Sequence, residues 1–236
     1  MSTTNTAPAP TTPKSGIMLR AMVGIGVFCA LLIVLTYEGT LPRVTRLKAE
    51  ALEKAIFKVV PGITQTRAYQ LDANNQFVPA NAEDKEAEVV YAGFDDSGEL
   101  LGVAIAAGEQ GYADIIRILY GYDPEQQTVV GFYVLESKET PGLGDKIEKD
   151  TNFLANFRAL DVSLNDNMSG LNNTVVPVKA GTKENPWEVD GISGATISSK
   201  AIGNALGKST QKWVPLIYQN REVFVLDTTD QGKNAE

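Results

Sequence analysis

Apolar and polar positions follow one another along this chain in three different rhythms. The first is continuous: from Ala21 to Tyr37, AMVGIGVFCALLIVLTY holds no charged residue, and counting from Gly16 gives 22 residues interrupted only by Arg20. About 20 apolar residues in a helix cross the hydrocarbon core of a bilayer, and an Arg near the edge can reach back to the interface. The pattern predicts one transmembrane helix over 16–37. A cleaved signal peptide is the competing reading, but the run is longer than the ~7–15 apolar residues of such a peptide, and TYEGTLP offers no small-x-small cleavage site. Nor does GVFC carry the small residues expected before a lipidated cysteine. The glycines of VGIGV, 23–27, read as helix-packing positions.

The second rhythm is helical. LPRVTRLKAEALEKAIFKVVPG places Leu41, Val44, Leu47, Leu52, Ile56 and Val59 near helical spacing and stops at Pro61-Gly62, which predicts a stalk or packing helix within 38–62. A further helix is expected across GDKIEKDTNFLANFRAL. Another is expected from Ile197 to about Tyr218, with Ile197, Ala201, Ile202, Ala205, Leu206, Trp213 and Leu216 on one face. The third rhythm is that of strands: AEVVYAGF, LLGVAIAAG, DIIRILYGYD and TVVGFYVLE, with DDSGE and PEQQ as turns. These imply a curved antiparallel sheet with flanking helices. The fold class is α+β, with one domain over 63–226. The Pro/Thr-rich stretch 1–15 and the polar 227–236 read as disordered and flexible tails. No internal repeat is present.

Composition then removes whole classes of chemistry. From Glu38 onward there are 19 basic against 29 acidic groups, an excess of ten negative charges, which argues against a nucleic-acid groove. The chain has no histidine, so His-based metal sites and Ser-His or Cys-His catalysis are excluded. Its single cysteine, Cys29, lies inside the apolar run and can form neither an internal disulfide nor a thiolate cluster. The charges flanking the apolar helix, Lys14 and Arg20 against Arg43, Arg46 and Lys48, are too balanced for the positive-inside rule to orient it.

Two stretches remain that carry chemistry. In DGISGATISSK, Ser193, Gly194 and Ala195 precede Thr196 at a predicted helix start, where free backbone N–H groups and the helix dipole suit a phosphate, with Lys200 one turn later. From spacing alone, Thr196 reads first as an N-cap that stabilises its helix by about 0.5–2 kcal/mol. In ESKETPGLGDKI, residues 136–147, Thr140, Pro141, Gly142, Leu143 and Gly144 form a rigid loop that exposes backbone. GLG is too short for a dinucleotide fingerprint.

A membrane-anchored chain with GYADIIRILYGYD, then ETPGLGDKI, then DGISGATISS resembles the FMN-binding domain of the G subunit of the Rnf electron-transport complex. The C subunit of the sodium-translocating NADH:quinone reductase is the related alternative. The resemblance runs from the anchor to about residue 218. It implies that Thr196, ending the S-G-A-T motif, is esterified to the phosphate of FMN by a flavin transferase that uses FAD as donor. It further implies that Asp190 belongs to the transferase recognition sequence and that Thr140, Gly142 and Leu143 lie near the flavin. The implied protein is an electron carrier without substrate turnover of its own, held in the bacterial inner membrane with its partner subunits and with the flavin domain on the periplasmic side. A membrane-anchored sensory or solute-binding module with a noncovalent ligand, and a purely structural assembly component, are the readings from other classes.

Overall fold

A computed structural model of the chain describes residues 15–72, 74–80 and 88–226. The expected tail 227–236 and all but the last residue of the expected tail 1–15 lie outside them. Two compact units result, one ending at Glu50 and one beginning at Ala51.

The first unit is helical. Helix α1, Ser15–Val59, runs unbroken through both the expected span and the expected stalk, passing Pro42 on the way. Among the described residues it is the one helix long and apolar enough to cross a membrane. Its residues up to Ala51 are all exposed. Three threonines return their hydroxyls to the helix's own carbonyls: Thr36 to Leu32 at 2.7 Å, Thr40 to Thr36 at 2.8 Å and Thr45 to Leu41 at 3.0 Å. For Thr36, inside the apolar run, such back-bonding satisfies a hydroxyl that would otherwise be unpaired in lipid.

The second unit is built on a seven-stranded antiparallel sheet. Its strands are β1 (Gln65–Leu71), β2 (Phe77–Pro79), β3 (Val89–Phe94), β4 (Leu100–Gln110), β5 (Ile115–Asp123), β6 (Thr128–Glu136) and β7 (Leu160–Asp161), in the order β2-β1-β3-β4-β5-β6-β7. The four strands with alternating apolar residues, β3 to β6, form the middle. Alternation sends Val90, Ala92, Val103, Ile105, Ile118, Tyr120 and Tyr122 into one core cluster and Tyr91, Ala104 and Leu119 into another. Helix α3, Thr196–Gln219, covers the first face with Ala201, Ile202, Ala205, Leu206, Trp213 and Ile217. The last turns of α1 cover the second with Ala55, Ile56 and Val59. That contact is close: Gly121 and Gly131 pair across β5 and β6, and a Cβ on either would stand 1.9 or 2.2 Å from the Val59 carbonyl oxygen.

The helix expected across 144–160 is broken into three. A 3-10 turn, Gly144–Glu148, is followed by α2 (Thr151–Ala155) and a second 3-10 turn, Asn156–Arg158. Asp150 is the cause, because its carboxylate accepts the N–H groups of Asn152 and Phe153, both at 3.0 Å, and starts a new helix. The break lets Phe153 and Phe157 both reach Phe132, with the Phe157 ring stacked at 4.3 Å. Strands β8 (Val176–Val178) and β9 (Glu188–Asp190) form a small parallel pair that leads the chain into α3.

Candidate functional site

The two motif-bearing loops meet at the start of α3. The first leaves β6 and makes a type II turn: Thr140 accepts the Leu143 N–H at 3.2 Å and the Gly144 N–H at 3.0 Å, Pro141 takes the second position, and Gly142 the third with φ +80°. Asp145 secures it by accepting the Gly142 N–H at 2.7 Å. The hydrogen bond from Lys149, at 2.6 Å, together with that backbone bond, holds the Asp145 carboxyl below the usual carboxylate range.

The second loop is a turn of the same shape. Ala195 donates to the Ile192 carbonyl at 3.1 Å, and Gly194 takes φ +83°. Ser199 fixes it from inside the helix, where its hydroxyl accepts the Ile192 N–H at 3.1 Å. The N-cap of α3 is Ala195, which offers no side-chain acceptor, so the first-turn N–H groups are left for a group outside the helix. Thr196 is thus the first helical residue. The capping alternative falls: Thr196 is exposed, and its hydroxyl makes none of the hydrogen bonds among the described residues.

A cavity of about 430 Å³ lies between the loops. Thr140, Leu143 and Gly144 line it from one side, and Gly194, Ala195 and Thr196 from the other. Tyr112, Glu139, Ile197 and Ser198 complete the wall. All four lie within the motifs quoted above, yet nothing in the sequence singles out any of them as a site residue. Ile197, expected on the buried face of α3, is 53% exposed, because the first turn of the helix overhangs the cavity instead of the sheet. With Tyr112 and Leu143, also largely exposed, it forms an apolar rim. A neighbouring cavity of about 450 Å³ includes Ser193, Lys200 and, again, Thr196. Thr196 is the residue common to both.

Two of the sequence candidates stand apart. Gly142 borders neither cavity and faces open space. Asp190 is half-buried and already engaged: its Oδ1 accepts the Gly181 N–H at 2.8 Å, while its backbone exchanges two 3.1 Å hydrogen bonds with the Asn156 side chain. A cation inside the first motif, though not among the residues expected at the site, is nearer the turn. Lys146 Nζ is 3.7 Å from where a Cβ on Gly194 would stand, and among the described residues it has no ion pair. Lys183 donates to Asn156 at 3.1 Å, and burial lowers its pKa against the pull of Asp190 and Glu188.

This volume falls within the about 300–1,000 Å³ of small-molecule sites. An apolar rim, backbone exposed at paired turns, free N–H groups and an unbonded hydroxyl suit a flat ring joined to a phosphate, as in FMN. The family model described as "FMN-binding domain" matches residues 111–211, which contain both loops. The G subunit of the ion-translocating oxidoreductase complex of Methanosarcina acetivorans is 30% identical over 192 residues, covering 80% of this chain and 89% of that one. The G subunit of the Na(+)-translocating ferredoxin:NAD(+) oxidoreductase complex of Acetobacterium woodii is 32% identical over 134 residues; the match spans 56% of this chain and 55% of that one. Among solved structures, the C subunit of the Na(+)-translocating NADH-quinone reductase from Parabacteroides distasonis shares the fold at TM-score 0.56 and 22% identity, covering 74% of this chain and 96% of that one. The chain belongs to the FMN-binding domain family and, within it, to the G-subunit proteins of ion-translocating oxidoreductase complexes.

Proposed function

We propose that the chain is the membrane-anchored electron-carrier subunit of an ion-translocating ferredoxin/NAD oxidoreductase complex of the Rnf type, with FMN joined to Thr196 through a phosphoester. One observation carries the attachment: Thr196 presents an exposed, unbonded hydroxyl at the uncapped start of α3, on the wall common to two cavities. FMN supplies the redox chemistry that a chain without histidine and with one membrane-embedded cysteine lacks. Thr196 would hold its phosphate, and the first-turn N–H groups of α3 would donate hydrogen bonds to the phosphate oxygens. Lys146, with Lys200 from the neighbouring cavity, would balance it. Thr140, Leu143 and Gly144 would fix the ring from the opposite wall, with Gly194 and Ala195 keeping the near wall thin. Gly142 would act by shaping the turn, and Asp190 by holding the strand that leads to Gly194, beside its expected part in transferase recognition.

Helix α1 would hold the domain against the other membrane subunits of the complex, with the N-terminus in the cytoplasm and residues from 38 onward on the periplasmic side. Co-expression with a flavin transferase, followed by intact mass and ultraviolet fluorescence on a denaturing gel, tests the attachment. A mass gain of one FMN less one water, as the FMN moiety of FAD passes to the hydroxyl and AMP leaves, absent from Thr196→Ala, is the expected result. Unmodified mass would leave a noncovalent ligand-binding module as the better account. Protease added to intact spheroplasts should digest the domain; protection until lysis would reverse the orientation.

A further inference from the structure

Among the described residues, Glu139 is the only buried charged side chain, at 7% exposure, and it lines the cavity shared with Thr196. Both its oxygens are used. Oε1 accepts the Ala113 N–H at 2.9 Å, and Oε2 accepts the hydroxyl of Ser198 in the first turns of α3. The fit leaves no slack, because a Cβ on Gly111 would stand 2.6 Å from Oε1 and one on Gly144 2.6 Å from Oε2. Lys138, next in the chain, clasps Asp114 at 2.5 Å and so fastens the same two loops from outside. Three segments distant in sequence, 111–114, 138–144 and the start of α3, thus converge on one carboxylate.

A buried carboxylate is costly unless it is paired, and Glu139 has no cationic partner among the described residues. A glutamine could accept from Ala113 and donate to Ser198 in the same place at a far lower desolvation cost. The latch alone therefore does not account for the charge. A fixed negative charge in a low-dielectric cavity opposes the addition of electrons to whatever group lies beside it. We infer that Glu139 is a positioning residue of the cofactor cavity: it latches the three walls together, and its negative charge lowers the reduction potential of the bound flavin. This rests on the FMN reading above.

The test uses the full chain in detergent, co-expressed with flavin transferase, as wild type, Glu139→Gln and Glu139→Ala. Spectroelectrochemical titration of the flavin-bearing fraction should give a more positive midpoint potential in Glu139→Gln than in wild type. In the unloaded protein, hydrogen exchange at the Ala113 amide should rise by about tenfold or more in Glu139→Ala and stay near wild type in Glu139→Gln. A wild-type potential in Glu139→Gln would overturn the electrostatic role. Unchanged Ala113 exchange in Glu139→Ala would overturn the latch. A wild-type protein without fluorescence on the denaturing gel would sink the Thr196 attachment, and the Ala113 exchange would still decide whether the latch exists.

Discussion

Thr196→Ala separates a structural threonine from a chemical one. Were the hydroxyl an N-cap, its loss would cost about 0.5–2 kcal/mol. At about 2–4 °C per kcal/mol for a domain of this size, the melting temperature would fall by ~1–8 °C. The geometry dictates otherwise. Thr196 is the first helical residue, Ala195 is the cap, and no hydrogen bond to the hydroxyl is lost. Alanine also has the higher helix propensity, and exposed substitutions of this kind stay within about ±0.5 kcal/mol, so the shift should be under ~2 °C. The melt is followed by circular dichroism on protein made without the transferase, so that no ligand contributes to stability. In parallel, protein made with the transferase is run on a denaturing gel, where Thr196→Ala should be dark. A fall in melting temperature beyond about 3 °C would make the hydroxyl structural after all. Persistent fluorescence would move the ester elsewhere, and the structure leaves one rival within the motif: Ser198 and Ser199 are 2% and 1% exposed and hydrogen-bonded, whereas Ser193 is exposed.

Gly121→Ala would drive a methyl to within 1.9 Å of the Val59 carbonyl and lift the end of α1 off the sheet; overpacking should destabilise the chain by about 1–3 kcal/mol, read by denaturant titration, while Gly170→Ala, with only a 3.6 Å neighbour, should be neutral. Leu143→Asp, at a 54% exposed position, should leave the melting of the unloaded protein unchanged and alter the native flavin spectrum of the loaded one; an unaltered spectrum would make the loop an ordinary turn. Burial pushes the Tyr120 and Tyr122 hydroxyls well above their ordinary pKa, and the folded state therefore keeps protons that the unfolded chain loses. Their contribution is complete below the ordinary tyrosine value and should be lost as pH rises above it, with tyrosinate absorbance lagging for these two until the chain unfolds; early, unfolding-independent ionisation of all eight tyrosines would refute this.

What the sequence revealed and what it concealed divide along physical lines. Strands β3 to β6 are readable because each has a buried face that demands alternation, whereas β1, QTRAYQL, carries few apolar residues and β7 to β9 are two or three residues long. The span and stalk look separate because charge begins at Glu38, yet backbone hydrogen bonding does not end where hydrophobicity does, and α1 is continuous. In the site, Thr196, Thr140 and Leu143 are recognisable from motifs. Glu139 sits inside one of those motifs without standing out, since nothing in ESKET distinguishes a buried glutamate from a solvated one. Tyr112 and Lys146 are equally hidden, because only the folded chain brings them to Gly194 and Thr196.

The same geometry bears on why a carrier of this kind would tether its cofactor. Tyr112 is 70% exposed, Leu143 54% and Ile197 53%, an unusual concentration of large apolar groups left in water around one opening. A cavity that closed over its ligand would bury these residues and gain affinity from their area, but it would also wall the ring off from any redox partner. Under the proposed function, leaving the rim open would keep the ring edge near the surface for electron exchange by contact, and it would give up much of the binding free energy that enclosure supplies. The proposed covalent bond at Thr196 would remove the need for that affinity. Under the proposed function, the rim is then free to serve as the face that meets the next redox centre, with Glu139 and the two turns holding the ring from behind.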